Sequence, residues 1–305
     1  MYSLEKYKMG GSTKHTCPKC GRKKCFTLYK NTQTGKYLSE ECGKCDHINS
    51  CGYHYTPKQY FADHPGSSDK THPPQANKQP PQPKPQPLCT LPMSYVTRSL
   101  SLASEFTDYL RVLLPADGSL KRVADMYMLG ATRDHRVIYW QIDMEQRVRS
   151  GKIMHYGADG HRKGNPNWTH ARLIYNRLLP YEWQLTPCFF GEHLLKDSQK
   201  PVCIVESEKT AVICAALHPK YTWIATGGCS MLKPEKCNVL KGRRVIVYPD
   251  SGKLDDWTKK MAQTEGIDYT MVTALEAYPG NTDIADLIVE ETLPFPPIDF
   301  SRPPF

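Results

Sequence analysis

From residue 202 onward, short apolar runs alternate with longer amphipathic stretches. VCIV (202–205), TWIAT (222–226), RVIVYP (244–249) and DYTMVTA (268–274) have the length and β-branched content of buried strands. Between them lie SEKTAVICAAL (207–217), with Ser207 placed to cap a helix, DDWTKKMAQTEG (255–266), which ends at a glycine, and DIADLIVEE (283–291). Strands alternating with helices predict a small, mostly parallel sheet covered on both faces. Upstream the period changes. SEFTDYLRVLL (104–114) and LKRVADMYML (120–129) predict helices within residues 95–130. RVIYWQID (136–143) and VRSGKIMHY (148–156) predict a hairpin or meander with basic residues set between apolar ones. Residues 65–94 are rich in Pro, Gln and Lys and predict an extended, disordered linker. The tail LPFPPIDFSRPPF either packs on the core or docks on a partner, and the first is favoured.

The N-terminal module carries the sharpest chemical signal. Six of the twelve cysteines fall within residues 17–51. CPKC and CGKC make a C-x2-C-x21-C-x2-C pattern, and the residues between them, CFTLYKNTQTGKYLSEE, read as a hairpin turning near Thr34–Gly35. Two such knuckles on strands point to zinc held by Cys17, Cys20, Cys42 and Cys45. Cys25 and Cys51 are spare, Cys51 being the better substitute ligand; His47 and His54 compete, or simply pack around the knuckles. A closed four-thiolate site is structural, because no coordination position stays open. The ribbon's function then lies on its surface, where Lys23, Lys24 and other lysines alternate with aromatics such as Phe26, Tyr29 and Tyr53. Those rings either fill the small core or stack on unpaired bases.

Charge sharpens the division. The formal net charge is +9, unevenly spread. Residues 1–64 have eleven Lys and Arg against five acids, residues 133–177 nine against four, and residues 199–305 twelve against fourteen. Two basic blocks and a mildly acidic one fit either a polyanion held apart from metal chemistry or a merely well-solvated surface. Apolar content of 39% is low for one globule, so part of the chain is expected to stay unpacked. No apolar run is long enough to span a membrane, and MYSLEKYKMGGSTKH has no signal-peptide core, so a cytoplasmic protein is expected.

In the acidic block, Glu206 follows the first strand and Asp250 follows VIVYP. Ligands of open α/β sheets bind outside the carboxyl ends of strands. Alone, Glu206 is an ordinary helix-start acid and Asp250 an ordinary turn residue. Together, on neighbouring strands, they point to a shared Mg²⁺ or Mn²⁺.

The order of these elements resembles bacterial-type DNA primases, whose catalytic core ends in a Toprim domain. IVESEKTAVICAA is similar to the Toprim glutamate motif, with Glu206 at the glutamate. WIATGGCSM resembles the glycine-containing loop, and VIVYPDSG stands at the D-x-D motif with Asp250 at the first aspartate. GATRDHRVIYWQIDMEQRVRSGKIMHYG is similar to the basic subdomain before Toprim, CFFGEHLL to the segment leading into it, and the ribbon and linker to the zinc-binding domain. The likeness is greatest to small primase-like proteins of plasmids, phages and other mobile elements. It implies a multidomain α+β and α/β chain: zinc ribbon 1–64, linker 65–94, basic primase-like subdomain 95–198 and Toprim-like domain 199–305. It also implies primer synthesis on single-stranded DNA from nucleotide triphosphates. Glu206 and Asp250 would be catalytic and hold Mg²⁺ or Mn²⁺, and Arg136, Arg147, Arg149, Lys152, Arg162 and Lys163 would take template or triphosphate. One departure stands out: Gly252 occupies the second aspartate's place. Asp255 or Asp256 could be brought in by the loop, and Asp283 or Asp286 could match a further acid. A catalytically degenerate single-stranded nucleic-acid-binding protein and a Toprim nuclease are the alternatives. Strand passage would need a nucleophile, and nothing marks Tyr248 as one. No P-loop pattern occurs, so a helicase would be a separate partner.

Overall fold

The computed structural model describes residues 2–5, 13–47, 51–64 and 88–289, and the chain divides into two compact units, Met1–Lys84 and Pro85–Phe305. The tail and most of the 65–94 segment lie outside the described residues. Among the described residues, no helix is long and apolar enough to cross a membrane.

In the first unit, β1 (Tyr2–Leu4), β2 (Phe26–Asn31) and β3 (Gly43–Cys45) form an antiparallel sheet with β2 in the middle. Phe26 and Leu28 fill its small core beside the buried Cys17, Cys25 and Cys45. The chain reverses after β2 in a tight turn, where the Asn31 side chain accepts from the backbone of Gln33 and Thr34. Gly35 follows with φ of +69°, a conformation glycine adopts without strain. The returning segment touches β2 only through the bridge Lys30–Tyr37, so β2 owes its pairing mainly to β1 and β3. Helix α1 (Pro57–Asp63) starts with a capping box between Thr56 and Gln59, and proline stands at its first position.

The second unit holds two sheets. The parallel one runs β11–β10–β8–β9, with β8 (Val202–Val205), β9 (Thr222–Ala225), β10 (Arg244–Val247) and β11 (Asp268–Met271). Alternate residues of β8, β9 and β10 enter two different cores. Cys203, Val205, Trp223, Ala225 and Ile246 face one side, and Val202, Ile204, Ile224, Val245 and Val247 the other. Burial on both faces explains why the strands read as unbroken apolar runs. Helix α6 (Glu208–Leu217), apolar nearly all round, is buried in the first core. Ser207 caps it, accepting from the backbone N–H of Thr210. Helix α8 (Leu254–Met261) covers the second core with Trp257 and Met261.

The other sheet is antiparallel, β4–β5–β6–β7, built from β4 (Gly130–Ala131), β5 (Val137–Ile142), β6 (Val148–Met154) and β7 (Asn167–Trp168). One face sends Val137, Tyr139 and Met154 into the same core as α6. Helices α3 (Glu105–Leu113) and α4 (Ser119–Met126) join that core through Phe106, Leu110 and Val123. Tyr127, just beyond α4, donates to the Trp223 carbonyl of β9 at 2.6 Å. This shared core crosses the boundary expected at 198/199, so the described residues on its two sides pack as one unit. The end of the expected linker is also structured: Leu91 is buried, and its N–H donates to Val148 of β6 at 2.8 Å.

One tight approach in the antiparallel sheet is at Gly151. A Cβ there would lie 2.7 Å from Ile138, 2.9 Å from Trp140 and 3.0 Å from Thr169. Gly151→Ala is therefore expected to destabilise the second unit by about 1–3 kcal/mol. Gly280→Ala, whose methyl group meets open space, should stay within about 0.5 kcal/mol of the parent. Urea unfolding followed by tryptophan fluorescence measures both.

Candidate functional site

The sulfur cluster differs from the expected set by one ligand. The Sγ atoms of Cys17, Cys20, Cys45 and Cys51 all lie within 4.8 Å of one another. Cys17 to Cys51 is 3.7 Å and Cys20 to Cys45 is 4.0 Å. Four sulfurs at about 2.3 Å from a tetrahedral zinc stand about 3.8 Å apart, so the cluster fits that ion. Cys42 is the correction: its thiol donates instead to the Tyr55 carbonyl at 3.4 Å. The reason is local. Cys17–Cys20 spans a turn, whereas residues 43–45 are β-strand, and side chains three apart on a strand point to opposite faces. Cys45 therefore makes its knuckle with Cys51. Cys25 packs in the core and donates to the Arg22 carbonyl, and His54 bonds Tyr29. The thiols of Cys45 and Cys51 are pushed up to about 11 by burial, while Cys20 is lowered to about 7, chiefly by the Arg22 backbone N–H.

The acidic cluster is set by strand order. β8 and β10 are parallel neighbours, with Val247 opposite Ile204, so Glu206 and Asp250 leave the same carboxyl edge. Ser251 binds the following loop to a later segment. Its N–H donates to Thr282, its hydroxyl donates to Tyr278, and its carbonyl accepts from Asn281. That segment delivers Asp283 and Asp286 at the start of α9 (Ile284–Val289). Asp283 accepts from the Thr210 hydroxyl at 2.6 Å, and Asp283 and Asp286 each accept the other's backbone N–H at 3.0 Å.

The Asp250 carboxyl is pushed up to about 8, first by burial and then by the charges of Asp283, Glu206 and Asp286. Asp283 is raised too, by burial and then by Asp286. Glu206 Oε2 is buried and has no hydrogen-bond partner among the described residues. Buried acids that repel one another and lack donors are what a divalent cation would relieve, and hard oxygen donors suit Mg²⁺ or Mn²⁺. Among the described residues, only the cysteines form a group of three or more ligands all within 4.8 Å of each other. The wider acidic arrangement suits an ion that also takes water and substrate phosphate as ligands.

Asp255 and Asp256 are not brought to this edge. Lys253 turns back on Asp250, and α8 begins at once, leaving both acids exposed in its first turn, where they favour the helix dipole. Gly252 has φ of +76°, and its N–H donates to Glu276 at 2.9 Å. Tyr248 is buried, and burial raises its phenol further, which does not suit a nucleophile.

The basic residues are divided. Arg147 and Arg149 both bind Asp143 Oδ2, at 2.8 and 2.7 Å, and Arg149 also donates to the Thr186 carbonyl. Burial would raise the Asp143 carboxyl, but the Arg147 backbone N–H and the two guanidinium groups hold it below its usual range. Lys152 is buried, donating to Glu208 at 2.9 Å and to the Gly227 carbonyl at 3.2 Å. These three cations, expected to meet phosphates, are therefore held by the protein's own acceptors. Arg136 pairs with Asp134, while Arg162, Lys163, Lys23 and Lys24 are exposed. Glu208 was not anticipated. A second acid two residues after Glu206, facing a basic strand, was the signal in the sequence.

Two outcomes are expected. Purified protein should carry one zinc per chain, kept in Cys42→Ser and lost in Cys51→Ser when metal content is measured; the reverse pattern would restore Cys42 as the ligand. For Asp250, the folded carboxyl titrates near 8 and the unfolded one near about 3.9. The native state thus holds the extra proton between those values, and metal-free stability falls as pH rises across that window. Asp250→Asn should remove the slope and raise Tm in chelator at pH 8, by about 2–4 °C per kcal/mol recovered. Added Mg²⁺ should stabilise the parent at pH 8 more than the variant.

Comparison with known proteins adds the following. Residues 104–251 match a family profile described as a domain of unknown function (DUF6371), and residues 1–66 match a zinc beta-ribbon finger. No curated protein sequence matches the chain. Among solved structures, the chain is similar to a DnaG catalytic core, at 14% identity and TM-score 0.44, covering 65% of this chain and 74% of that one. It is similar to the E. coli primase catalytic core at 15% identity and TM-score 0.43, with the same coverage. The primase fragment of the bacteriophage T7 primase-helicase aligns over 91% of this chain and 95% of its own, at 14% identity and TM-score 0.41.

Proposed function

We propose that the chain is a DNA primase-like protein that binds single-stranded DNA and makes short primers from nucleotide triphosphates by nucleotidyl transfer. The observation that carries this reading is the acidic site: Glu206 and Asp250 at one carboxyl edge of adjacent parallel strands, with Asp283 close enough to raise the Asp250 carboxyl. Glu206 and Asp250 would hold the divalent ion. When bound, such an ion activates a 3′-hydroxyl and offsets charge on departing pyrophosphate. Thr210 fixes Asp283, and the Ser251 contacts fix the loop that presents Asp250. Arg136, Arg162 and Lys163 remain for template or triphosphate, and Lys23 and Lys24 for template on the ribbon. The resemblance in sequence makes replication of a bacterial mobile element, with a separate helicase, the natural setting.

Gly252 favours a second reading, a binding protein that has lost catalysis, because position 252 supplies only a backbone N–H where the resembled family has a carboxylate. A Toprim nuclease uses similar ions and stands third.

Incubation with single-stranded DNA, labelled ribonucleotides and Mg²⁺ or Mn²⁺ separates the three. Short products that fall at least about hundredfold in Glu206→Gln and in Asp250→Asn establish the primase. DNA binding without product in any metal establishes the binding protein. Loss of labelled DNA without nucleotides establishes the nuclease.

A further inference from the structure

Residues 160–181 contain Arg162, Lys163, Arg172 and Arg177 and no acid. Within this stretch, β7 leads directly into α5 (Thr169–Tyr175), at the outer edge of the antiparallel sheet. Three large side chains there face solvent: Tyr175 is 69% exposed, Leu178 63% and Tyr181 70%. Two of the three carry aromatic rings.

The segment is nevertheless well anchored. The Thr169 hydroxyl accepts from the Gly151 N–H at 2.8 Å. Ser150 of β6 hydrogen-bonds His170 at 2.7 Å, and the His170 ring stacks on the buried Trp183 with centroids 4.9 Å apart. The tyrosines thus sit on a scaffold fixed at both ends, and holding them in place costs little further ordering on binding. Cations accompany them. Arg172 acts on Asp134, the same acid that pairs with Arg136, so that acid faces two guanidinium groups.

Exposed aromatic faces amid cations are the two components of sequence-tolerant single-strand recognition: rings stack on bases and cations track phosphates. β7 pairs with β6, whose Lys152 reaches the Gly227 loop beside Glu208. One strand spacing, about 4.8 Å, therefore separates this edge from the strand that touches the acidic site's surroundings.

We infer that Tyr175 and Tyr181, with Arg172 and Arg177, form a stacking platform for single-stranded DNA at the β7 edge. The inference deepens the proposed function, on which it rests, by naming where the template is gripped.

The test is fluorescence anisotropy of a labelled oligothymidylate with the full-length chain at several salt concentrations. Tyr175→Ala with Tyr181→Ala should weaken binding by about tenfold per tyrosine with an unchanged salt slope, and the matching Phe substitutions should restore it. Arg172→Gln with Arg177→Gln should reduce the salt slope by about 1.4, because each lost phosphate contact removes about 0.7. Melting temperatures equal to the parent's show that the variants fold. Affinity within twofold of the parent in the folded alanine and glutamine variants would overturn the platform and leave this face to a protein partner. If the platform variants weaken binding while no primer is ever made, the platform stands and the primase reading falls. If primers are made but the platform variants bind normally, the platform alone falls.

Discussion

The second unit is organised around the crowding of carboxylates at one edge of the parallel sheet. Pairing of β8 with β10 puts Glu206 and Asp250 side by side, and the Ser251 contacts add Asp283. Apolar packing forces this arrangement, because both faces of the strands are filled by Trp223, Trp257 and the buried α6. At this edge, beyond the filled faces, Glu206 and Asp250 leave the strands. Burial then works against the ionised acids, and the protein offsets part of that cost locally. Thr210 donates to Asp283, the Asp283 and Asp286 carboxylates take each other's N–H, and Asp250 keeps its proton to about pH 8. Glu206 Oε2 receives no such help among the described residues. A cation bound there would offset what the surrounding protein leaves uncompensated.

The same economy explains the seam between the two sheets. Lys152 would be costly to bury alone, and so would Glu208. Their 2.9 Å pair, with the Gly227 carbonyl as a further acceptor, fastens β6 to the loop after β9. A buried pair of this kind is weak evidence for stability, since an apolar replacement often packs as well. Its value is in orientation: it can form only when the antiparallel sheet and the glycine loop are in register. Gly227 suits this position, with φ of +83° and with Glu208 Oε1 only 3.1 Å from where a Cβ would be.

Much of this was legible in the sequence, and the misreadings share one cause. The strands from VCIV to DYTM, the helices between them and the Ser207 cap were legible because periodicity and capping are local. Glu206 and Asp250 were legible because strand ends can be read one strand at a time, although their adjacency waited on strand order. Cys42 was misread because spacing alone does not tell a knuckle from a strand; Gly43–Cys45 is strand, so the second knuckle runs from Cys45 to Cys51. Asp255 and Asp256 were misread because closeness in sequence to Asp250 does not survive the start of α8. Arg147 and Arg149 look free in a basic segment, and Asp143 claims both only once the hairpin closes.

The sulfur cluster and the acidic cluster also differ in the chemistry they offer. Four sulfurs spaced to surround a zinc ion saturate its tetrahedral coordination and leave no position for substrate, so the ribbon can act only through its surface. Among the described residues the carboxylates do not gather as the sulfurs do, so an ion held there would keep positions for water. A closed sulfur site contributes stability to a unit whose own core is small, which matters most where Phe26, Leu28 and four cysteines are the buried apolar side chains among the described residues. An open oxygen site would contribute reactivity instead, and the acids stand on a sheet with two full cores. Which unit can tolerate an incomplete ligand set follows from this. Losing a thiolate opens the ribbon's structure, whereas the absence of a carboxylate at Gly252 leaves the parallel sheet intact and changes only what the edge can bind.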